Sequence, residues 1–381
     1  MGGACGGGVS SRFRAVGGPL GDGGRQLVSA ASRLAQRPPM LQPMTHPMLT
    51  VLKRRAAVGL LPLLLPIAAL AQVGVQRLDG ADPKAAVSAL VWYPTQAQSQ
   101  AQRIGPFSLE VAADAAPAPG RRPLLLLSHG TGGHELGHAW LAQGMVARGW
   151  IVLTLRHTAD NYQDRSAIAR ADFFEQRARQ LSRLLDQLLA DARWRDRIDA
   201  ARIAAFGHSA GGHSVLALVG AKPDPARVVA HCSPGGAGLT SDAVMCGLGG
   251  PRRADSAAVM QQTVPTDVSD PRIRAAVVAA PLVVPLQPAS LQALRVPVWV
   301  EAAGRDEVLT ARLHALTLCG RPRVHCHVDE GAGHFASFQS GTGPLPADGI
   351  DPACDPPGFD RVAWQHAALQ RIAGFLAAAL P

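Results

Sequence analysis

The stretch RIAAFGHSAGGHSVLALV, residues 202–219, decides the fold. Its first five residues predict a short strand, and residues 210–219 predict a helix. Between the two stands Gly207-His208-Ser209-Ala210-Gly211, a G-x-S-x-G pattern that in a strand-to-helix turn is typical of a nucleophile elbow. We therefore predict that Ser209 is a nucleophile. The alternative for the same residues is a glycine- and serine-rich helix start without catalysis.

Strand-like apolar runs alternate with segments of helical periodicity through most of the chain. Strands are predicted at residues 85–93, 107–111, 123–128, 150–155, 202–206, 273–280, 296–303 and 324–328. Helices are predicted at residues 138–148, 172–191, 210–219, 310–318 and 361–380. This alternation predicts an α/β protein with a doubly wound, mostly parallel sheet and helices on both faces, the α/β-hydrolase arrangement.

Residues 221–270 do not follow this alternation, because they are rich in Gly, Pro, Ser and Asp. They predict either a long loop stapled by Cys232 and Cys246 or a small cap over the site. Long irregular insertions in compact domains are often functional. We expect this insertion to form an edge of the substrate pocket.

A serine nucleophile needs a base, and histidine titrates in the right range to supply one near neutral pH. In this fold the chain order is nucleophile, acid, histidine. His334 follows the last predicted strand in a glycine-rich loop, residues 331–335, and is our predicted base. The alternatives are His314 in a predicted helix and His325 and His327 in a predicted strand.

The third member of a triad orients the imidazole and stabilises its charged form. Asp306 comes just after the strand predicted to end at Ala303, between nucleophile and base, and is the predicted acid. The alternative acids are Glu307, Asp270, Asp329 and Glu330.

An oxyanion hole requires two backbone N–H donors in this fold. The residue after the nucleophile, Ala210, supplies the first predicted donor. The turn His129-Gly130-Thr131-Gly132-Gly133 follows the strand at residues 123–128, and its predicted donor is the N–H of Thr131. The alternative is a tight glycine turn without that role.

The net charge of +9 is concentrated at the beginning of the chain. Residues 1–71 hold eight of the 37 Lys and Arg residues and one of the 28 acidic residues, so the remainder carries +2. A basic protein surface for nucleic acid is therefore not expected.

The basic leader contains an export signal. Lys53-Arg54-Arg55 precedes an apolar run at residues 56–70, and Ala69-Leu70-Ala71 has the small-x-small form of a cleavage site. The run is fifteen residues long and contains two prolines, which is short for a membrane span of about 20 residues. We predict an upstream extension at 1–47, a signal peptide at 48–71, and a hydrolase domain at 72–381 that is secreted or periplasmic. The start is expected at Met48, with Met40 and Met44 as alternatives.

Five cysteines follow the predicted cleavage site: Cys232, Cys246, Cys319, Cys326 and Cys354. In an oxidising compartment we expect two disulfides and one remaining thiol, with Cys232 and Cys246 as the first candidate pair. Neither a C-x-x-C nor a Cys/His finger spacing occurs, so no structural zinc site is predicted.

Several of these motifs together resemble one known family. The motifs are residues 128–133 (SHGTGG), 207–212 (GHSAGG), 304–306 (GRD) and 333–335 (GHF), with flanking segments at 91–94 (VWYP) and 355–361 (DPPGFDR). They are similar to the predicted dienelactone hydrolase group, which is related to platelet-activating-factor acetylhydrolases and bacterial polyester-cleaving esterases. The resemblance covers about residues 85–380. It implies Ser209, Asp306 and His334 as a catalytic triad and Thr131 and Ala210 as oxyanion donors.

Dienelactone hydrolases use a cysteine nucleophile, whereas this elbow carries Ser209. We therefore expect a serine hydrolase that cleaves carboxylic esters through an acyl-enzyme, without a metal or organic cofactor. The expected substrate is a small-molecule, lipid or polymeric ester, with residues 282–286 either lining an acyl pocket or packing in the core. The alternatives are a peptidase or acyltransferase of the same fold, and a non-catalytic binding protein.

Overall fold

The computed structural model describes residues 72–78, 82, 84, 86–168, 170–249, 262–341 and 351–381. The upstream extension and the signal peptide predicted at residues 1–71 lie outside these residues and stay predictions. So does the assignment of the chain's start.

The described strands form one ten-stranded sheet in the order β10-β9-β8-β7-β5-β6-β2-β1-β4-β3. The strands are β1 (Gln72–Arg77), β2 (Ala86–Thr95), β3 (Gln100–Ile104), β4 (Phe107–Ala113), β5 (Arg122–Ser128), β6 (Ile151–His157), β7 (Ile198–His208), β8 (Ala275–Ala279), β9 (Val298–Ala303) and β10 (Val324–Asp329). Every neighbouring pair from β6 to β10 is parallel. Strand β2 is antiparallel to both of its neighbours, β1 and β6. The mostly parallel α/β fold predicted from the sequence is therefore confirmed.

The helices lie on both faces of the sheet. They are α1 (Ala139–Val146), α2 (Phe173–Ala190), α3 (Ala210–Leu218), α4 (Ala226–Cys232), α5 (Gly238–Ser241), α6 (Ala243–Gly249) and α7 (Arg361–Ala379). Helices α2 and α3 contribute to one core cluster with Leu124 and Leu126, while α1 and α7 contribute to the other with Leu125 and Leu127. Alternate leucines of β5 thus enter opposite clusters, which is why this strand reads as a continuous apolar run.

Three details of the sheet and helices differ from the sequence prediction. Strands β1 and β3 were not predicted, and β4 pairs with both of them. The helix predicted at 310–318 is wrong: the segment forms two 3₁₀ turns, Ala311–Leu313 and Ala315–Thr317. The carboxylate of Asp242 accepts hydrogen bonds from the Thr310 N–H and the His314 ring, so this segment is tied to the insertion.

The middle of the insertion at 221–270 is largely helical, whereas its described ends, residues 221–225 and 262–270, are not. Helices α4, α5 and α6 occupy most of residues 226–249, and the predicted disulfide between Cys232 and Cys246 is present. The choice between a long loop and a small cap stays a prediction, since residues 250–261 lie outside the described residues.

A second disulfide joins Cys319 and Cys326, and no cysteine among the described residues is free. The single remaining thiol expected from the sequence is thus not found. Among the helices of the described residues, none has the length and apolar character that a membrane crossing requires.

Candidate active site

Ser209 occupies the sharp turn between β7 and α3. Its backbone lies at φ 55° and ψ −120°, and a non-glycine residue rarely adopts such a positive φ. The turn is held because the Ser209 N–H donates to the Ala279 carbonyl at 3.1 Å, and the Ser209 carbonyl accepts from the Leu282 N–H at 3.0 Å. The strand, turn and helix expected around Ser209 are thus all present.

The two glycines of the motif are required by close backbone approach. A Cβ on Gly207 would lie 2.1 Å from the Gly211 carbonyl oxygen, and a Cβ on Gly211 would lie 2.2 Å from the Ser128 carbonyl oxygen. Both distances are far inside van der Waals contact. The elbow therefore cannot form with any other residue at these two positions unless the backbone moves.

His334 and Asp306 form a buried pair beside the elbow. The His334 Nδ1 lies 2.8 Å and 3.0 Å from the two carboxylate oxygens of Asp306, and both side chains are buried. The carboxylate also accepts hydrogen bonds from the N–H groups of Val308 at 2.9 Å and Leu309 at 2.6 Å. With a carboxylate at Nδ1, that nitrogen carries the proton and Nε2 is left as an acceptor.

The alternative acids have other contacts. Glu307 binds the backbone of the histidine loop: its Oε2 accepts from the His334 N–H at 3.1 Å. Asp270 pairs with Arg272 next to the C-terminal end of α3, and Asp329 accepts from the Gly331 N–H. Within the described residues, Asp306 alone contacts a ring nitrogen of His334.

His208 connects the elbow to the histidine loop, a role that was not predicted. Its ring centroid lies 4.8 Å from that of His334, and its Nε2–H donates to the His334 carbonyl at 2.9 Å. On its other side, His208 Nδ1 lies 3.1 Å from where a Cβ of Gly130 would be. The only sequence signal was its position inside the G-x-S-x-G motif, next to Ser209.

The glycine turn after β5 packs against the elbow. A Cβ on Gly130 would lie 3.1 Å from the Ser209 Cβ. The Gly133 N–H donates to the Gly130 carbonyl at 3.1 Å and Gly132 has φ 68°, so residues 130–133 form a type II turn with Thr131 in its second position.

The two backbone N–H groups predicted as oxyanion donors are both unengaged. Because a trans peptide places its N–H opposite its carbonyl, the Thr131 N–H points away from the turn's own hydrogen bond, and no described residue accepts it. Ala210 begins α3, so its N–H also lacks an intrahelical acceptor. Two free N–H groups therefore lie on segments in contact with Ser209.

Five buried histidines surround these segments and are kept neutral by burial. Burial lowers the pKa of His138 to about 4 and of His213 to about 3. Burial also lowers the pKa well below the ordinary range for His129, His157 and His208, with the neighbouring charges of Arg177 or His334 adding to the effect. His334 differs from all five in having a carboxylate at a ring nitrogen.

An apolar wall adjoins the candidate site. The third apolar cluster brings Ala210 and Leu282 together with Val228 of α4 and Met245 of α6, and Phe335 packs against it. The insertion therefore packs beside the elbow, which agrees with the cap alternative. Residues 282–286 were predicted either to line an acyl pocket or to pack in the core, and they do not all lie in one place. Leu282 and Val284 contact this third cluster, whereas Val283 and Leu286 belong to the core cluster of α2 and α3.

One group of side chains has the composition of a metal site. His231, Asp242 and His314 each offer a ligand atom, and these atoms lie within 4.8 Å of one another. However, the Val283 N–H donates to His314 Nδ1 at 3.1 Å, so this nitrogen is unprotonated and Nε2 carries the hydrogen that faces Asp242. A metal ligand histidine normally donates from its second nitrogen. The geometry therefore fits a carboxylate held between two imidazoles rather than a metal centre.

No protein-family model matches the chain. Curated relatives do match part of it: cutinase est1 of Thermobifida alba is 34% identical over 102 residues, which are 26% of this chain and 31% of the relative. Cutinase 2 of Thermobifida cellulosilytica and cutinase cut1 of Thermobifida fusca are each 34% identical over 100 residues, covering 34% and 28% of those relatives. The matched region thus spans about a third of the relatives' length.

Proposed function

We propose that this protein is an exported serine hydrolase that cleaves carboxylic esters through an acyl-enzyme on Ser209. The observation that carries the proposal is that three segments, which hold Asp306, His334 and the glycine turn, meet beside the Ser209 elbow. Ser209 stands in a strained strand-to-helix elbow, a His–Asp pair lies beside it, and two unengaged backbone N–H groups belong to the segments that touch it. The partial similarity to enzymes named cutinases supports ester cleavage as the reaction.

In the first half of the proposed reaction, the Ser209 Oγ attacks the ester carbonyl carbon while its proton passes to His334 Nε2. The negative charge on the carbonyl oxygen is stabilised by the N–H groups of Thr131 and Ala210. The Asp306 carboxylate accepts a hydrogen bond from the His334 Nδ1–H and stabilises the imidazolium. Collapse of the intermediate breaks the bond to the alkoxy oxygen, which leaves as the alcohol with the proton from His334.

In the second half, a water molecule gives its proton to His334 and attacks the acyl carbon. The same two N–H groups stabilise the new oxyanion. When the bond to Ser209 breaks, the proton returns to its Oγ and the carboxylic acid leaves. The third apolar cluster, with Leu282 and Phe335, is the proposed surface for the acyl chain.

The setting of the enzyme is part of the same proposal. Two disulfides among the described residues support an oxidising compartment, in keeping with the signal peptide predicted at residues 48–71. Residues 72–381 would be the mature hydrolase domain, and the resemblance to the predicted dienelactone hydrolase group would place it among esterases of that kind. Mass spectrometry of the exported protein checks this, with Gln72 as the expected first residue.

The central experiment uses a fluorophosphonate probe and p-nitrophenyl esters of increasing chain length. The wild type should be labelled and active. Ser209→Ala and His334→Ala should each lower kcat by about four orders of magnitude or more. The matched controls are Ser166→Ala and His325→Ala, because both side chains are exposed. Absence of labelling in the wild type, or equal labelling of Ser209→Ala, would refute the proposal.

A further inference from the structure

A buried ion pair lies behind the glycine turn. Arg177 of α2 is 2% exposed and Asp160, which follows β6, is 1% exposed, and the guanidinium Nη1 donates to the Asp160 carboxylate. Removing two charges from water is costly unless each is paired and hydrogen-bonded. A pair in this position therefore calls for a reason other than stability, and its remaining contacts supply one.

The pair binds both ends of the glycine turn. The second guanidinium nitrogen, Nη2, donates to the His129 carbonyl. The second carboxylate oxygen of Asp160 accepts from the Gly132 N–H at 2.9 Å. These two groups belong to the peptide units immediately before and immediately after the unit that joins Gly130 to Thr131.

The peptide unit between them is also held. Its carbonyl, that of Gly130, accepts from the Gly133 N–H at 3.1 Å and from His129 Nδ1–H at 2.6 Å. Three consecutive peptide units are thus fixed by hydrogen bonds, and the Thr131 N–H is the group in the middle that is left free. A peptide flip here would have to break several of these bonds at once.

We propose that Arg177 and Asp160 are positioning residues that hold the Thr131 N–H in its oxyanion-binding orientation. This inference rests on the proposed function and deepens it. A donor fixed before the reaction needs no reorganisation when the oxyanion forms, which is where its catalytic value lies. Neither residue has a role in the bond-making steps.

Burial keeps the histidines around the pair neutral near neutral pH. His157 Nδ1–H donates to Gln180 at 2.6 Å, and its Nε2 accepts from the Ser128 hydroxyl at 2.8 Å. His129 Nε2 accepts from the His157 N–H at 3.1 Å, which leaves its Nδ1–H for the Gly130 carbonyl. Arginine itself does not lose its proton in proteins. Near neutral pH, the turn is therefore held by groups whose charge does not change.

The first test removes both charges together as Arg177→Met with Asp160→Asn. Replacing a buried ion pair by neutral side chains of similar volume leaves no unpaired charge, so this variant is expected to fold. Its kcat should fall by about 10- to 100-fold while KM stays within about threefold, because the lost interaction acts on the transition state. A reversible boronic acid, which forms a tetrahedral adduct with the serine, should lose affinity by a similar factor.

The matched control is Arg272→Ala. It leaves the buried carboxylate of Asp270 without its cation, yet it lies at the opposite end of α3 from Ser209. It should lower the melting temperature and leave kcat per folded molecule unchanged. If the double variant behaves like this control, with native circular dichroism and kcat within about threefold of the wild type, the positioning role is refuted.

The second test uses the space beside the pair. A cavity of about 350 Å³ is lined by Arg177 and Asp160 and bordered by the exposed Arg170 and Arg183. In Arg177→Ala, millimolar guanidinium, far below denaturing concentrations, should enter this space and raise kcat at least fivefold. Methylammonium at the same ionic strength should not raise kcat, because it lacks the planar set of N–H donors that can bind the Asp160 carboxylate and the His129 carbonyl at the same time.

The failures of the two proposals are distinguishable. If the wild type is neither labelled at Ser209 nor active on esters, the proposed function fails and the positioning role falls with it. If the wild type is active but guanidinium gives no more recovery than methylammonium, the positioning role alone is refuted.

Discussion

Two buried carboxylates flank the candidate site, and the chain holds them in different ways. Asp160 is paired with the permanently charged guanidinium of Arg177 and accepts a hydrogen bond from Gly132 of the glycine turn. Asp242 lies between two imidazoles, with its Oδ2 at 2.7 Å from His231 Nε2 and 3.1 Å from His314 Nε2. Its other oxygen accepts from the Thr310 N–H at 2.7 Å, in the segment that follows Asp306.

This difference matches the tasks of the two sides. In the proposed reaction the glycine turn must present the same N–H group throughout, and the carboxylate that binds the turn is paired with a cation that does not titrate. Asp242 instead joins the helical insertion, through α5 and α6, to the segment at 310–314. Imidazole carries no permanent charge, so this junction depends on the charge of Asp242 itself. We therefore expect acid and mutation to affect the two sides differently.

The largest expected effect is acid unfolding from the Asp160 side. The buried histidines have pKa values lowered by burial, so below pH 6.5 the unfolded chain binds protons that the folded one excludes. Their stability contribution is present above pH 6.5 and is lost as the pH falls, by up to about 1.4 kcal/mol per pH unit for each histidine. Denaturant unfolding between pH 7 and 4.5 should show a loss of several kcal/mol.

Asp242 contributes in a different pH window. Burial raises the pKa of this carboxyl, but hydrogen bonds from His314 and Thr310 outweigh burial, and the pKa is lowered overall. Its contribution to the free energy of unfolding is present above the unfolded pKa of about 3.9 and is lost only as the pH falls below it.

The loss of stability above pH 4.5 is therefore assigned to the buried histidines. His138→Gln should flatten the dependence of the free energy of unfolding on pH in this range, and His325→Gln, at an exposed site, should not. A stability independent of pH down to 4.5 would contradict this assignment.

The next effect separates two adjacent acids on the Asp242 side. Asp306→Asn should lower kcat by about 10⁴-fold, because an amide holds the wrong tautomer of His334. Glu307→Gln keeps an oxygen that can accept the His334 N–H and should lower kcat less than about tenfold. Steady-state kinetics on one p-nitrophenyl ester compares them. Equal losses in the two variants would show that Asp306 is not the sole partner of the base.

A smaller effect tests the N–H that the Asp160 side holds. Proline is favoured at the second position of a type II turn, so Thr131→Pro should preserve the turn while deleting the donor. We expect kcat to fall by about 10²- to 10³-fold. Thr131→Ala keeps the N–H and should stay within about threefold of the wild type. If proline and alanine have the same kcat, Thr131 does not supply an oxyanion donor.

The smallest kinetic effect is expected at Asp242. Asp242→Asn weakens the bonds to both imidazoles and to Thr310, so the free energy of unfolding should fall by about 1–3 kcal/mol. The change in kcat should be less than about tenfold, since the Asp306 carboxylate keeps its own bonds to Val308 and Leu309. Asp199→Asn, at a surface pair with Arg202, is the control for stability. A loss of kcat as large as that in Asp306→Asn would place Asp242 in the catalytic machinery.

Local sequence signals identified the residues that the structure gathers at the site. Ser209 was recognisable because the sharp turn admits only glycine two residues before and two residues after it, which leaves the G-x-S-x-G pattern in the sequence. Asp306 and His334 were recognisable because each follows a strand, and parallel strands bring their carboxyl ends to one edge. Their contact at 2.8 Å agrees with the prediction, while their catalytic roles stay proposals.

Other features left no such pattern. The bonds of Glu307 to the histidine loop, of His208 to the His334 carbonyl, and of Arg177 to the turn join residues 27, 126 and 48 positions apart. In the sequence, Arg177 of α2 cannot be distinguished from an arginine on the helix surface, because nothing near it in the chain indicates the turn that it contacts. The bonds of Asp242 to Thr310 and His314 likewise join residues 68 and 72 positions apart.

The amino-acid sequence alone therefore determined the α/β class, the elbow and the chemical types of the candidate triad, since these depend on periodicity and on local steric limits. The tertiary structure alone showed that the insertion packs beside the elbow, that His208 and Glu307 bind the histidine loop, and which charges hold the glycine turn. The physical reason is that a hydrogen bond or ion pair between distant segments depends on where the whole sheet brings them, and no spacing along the chain records that distance.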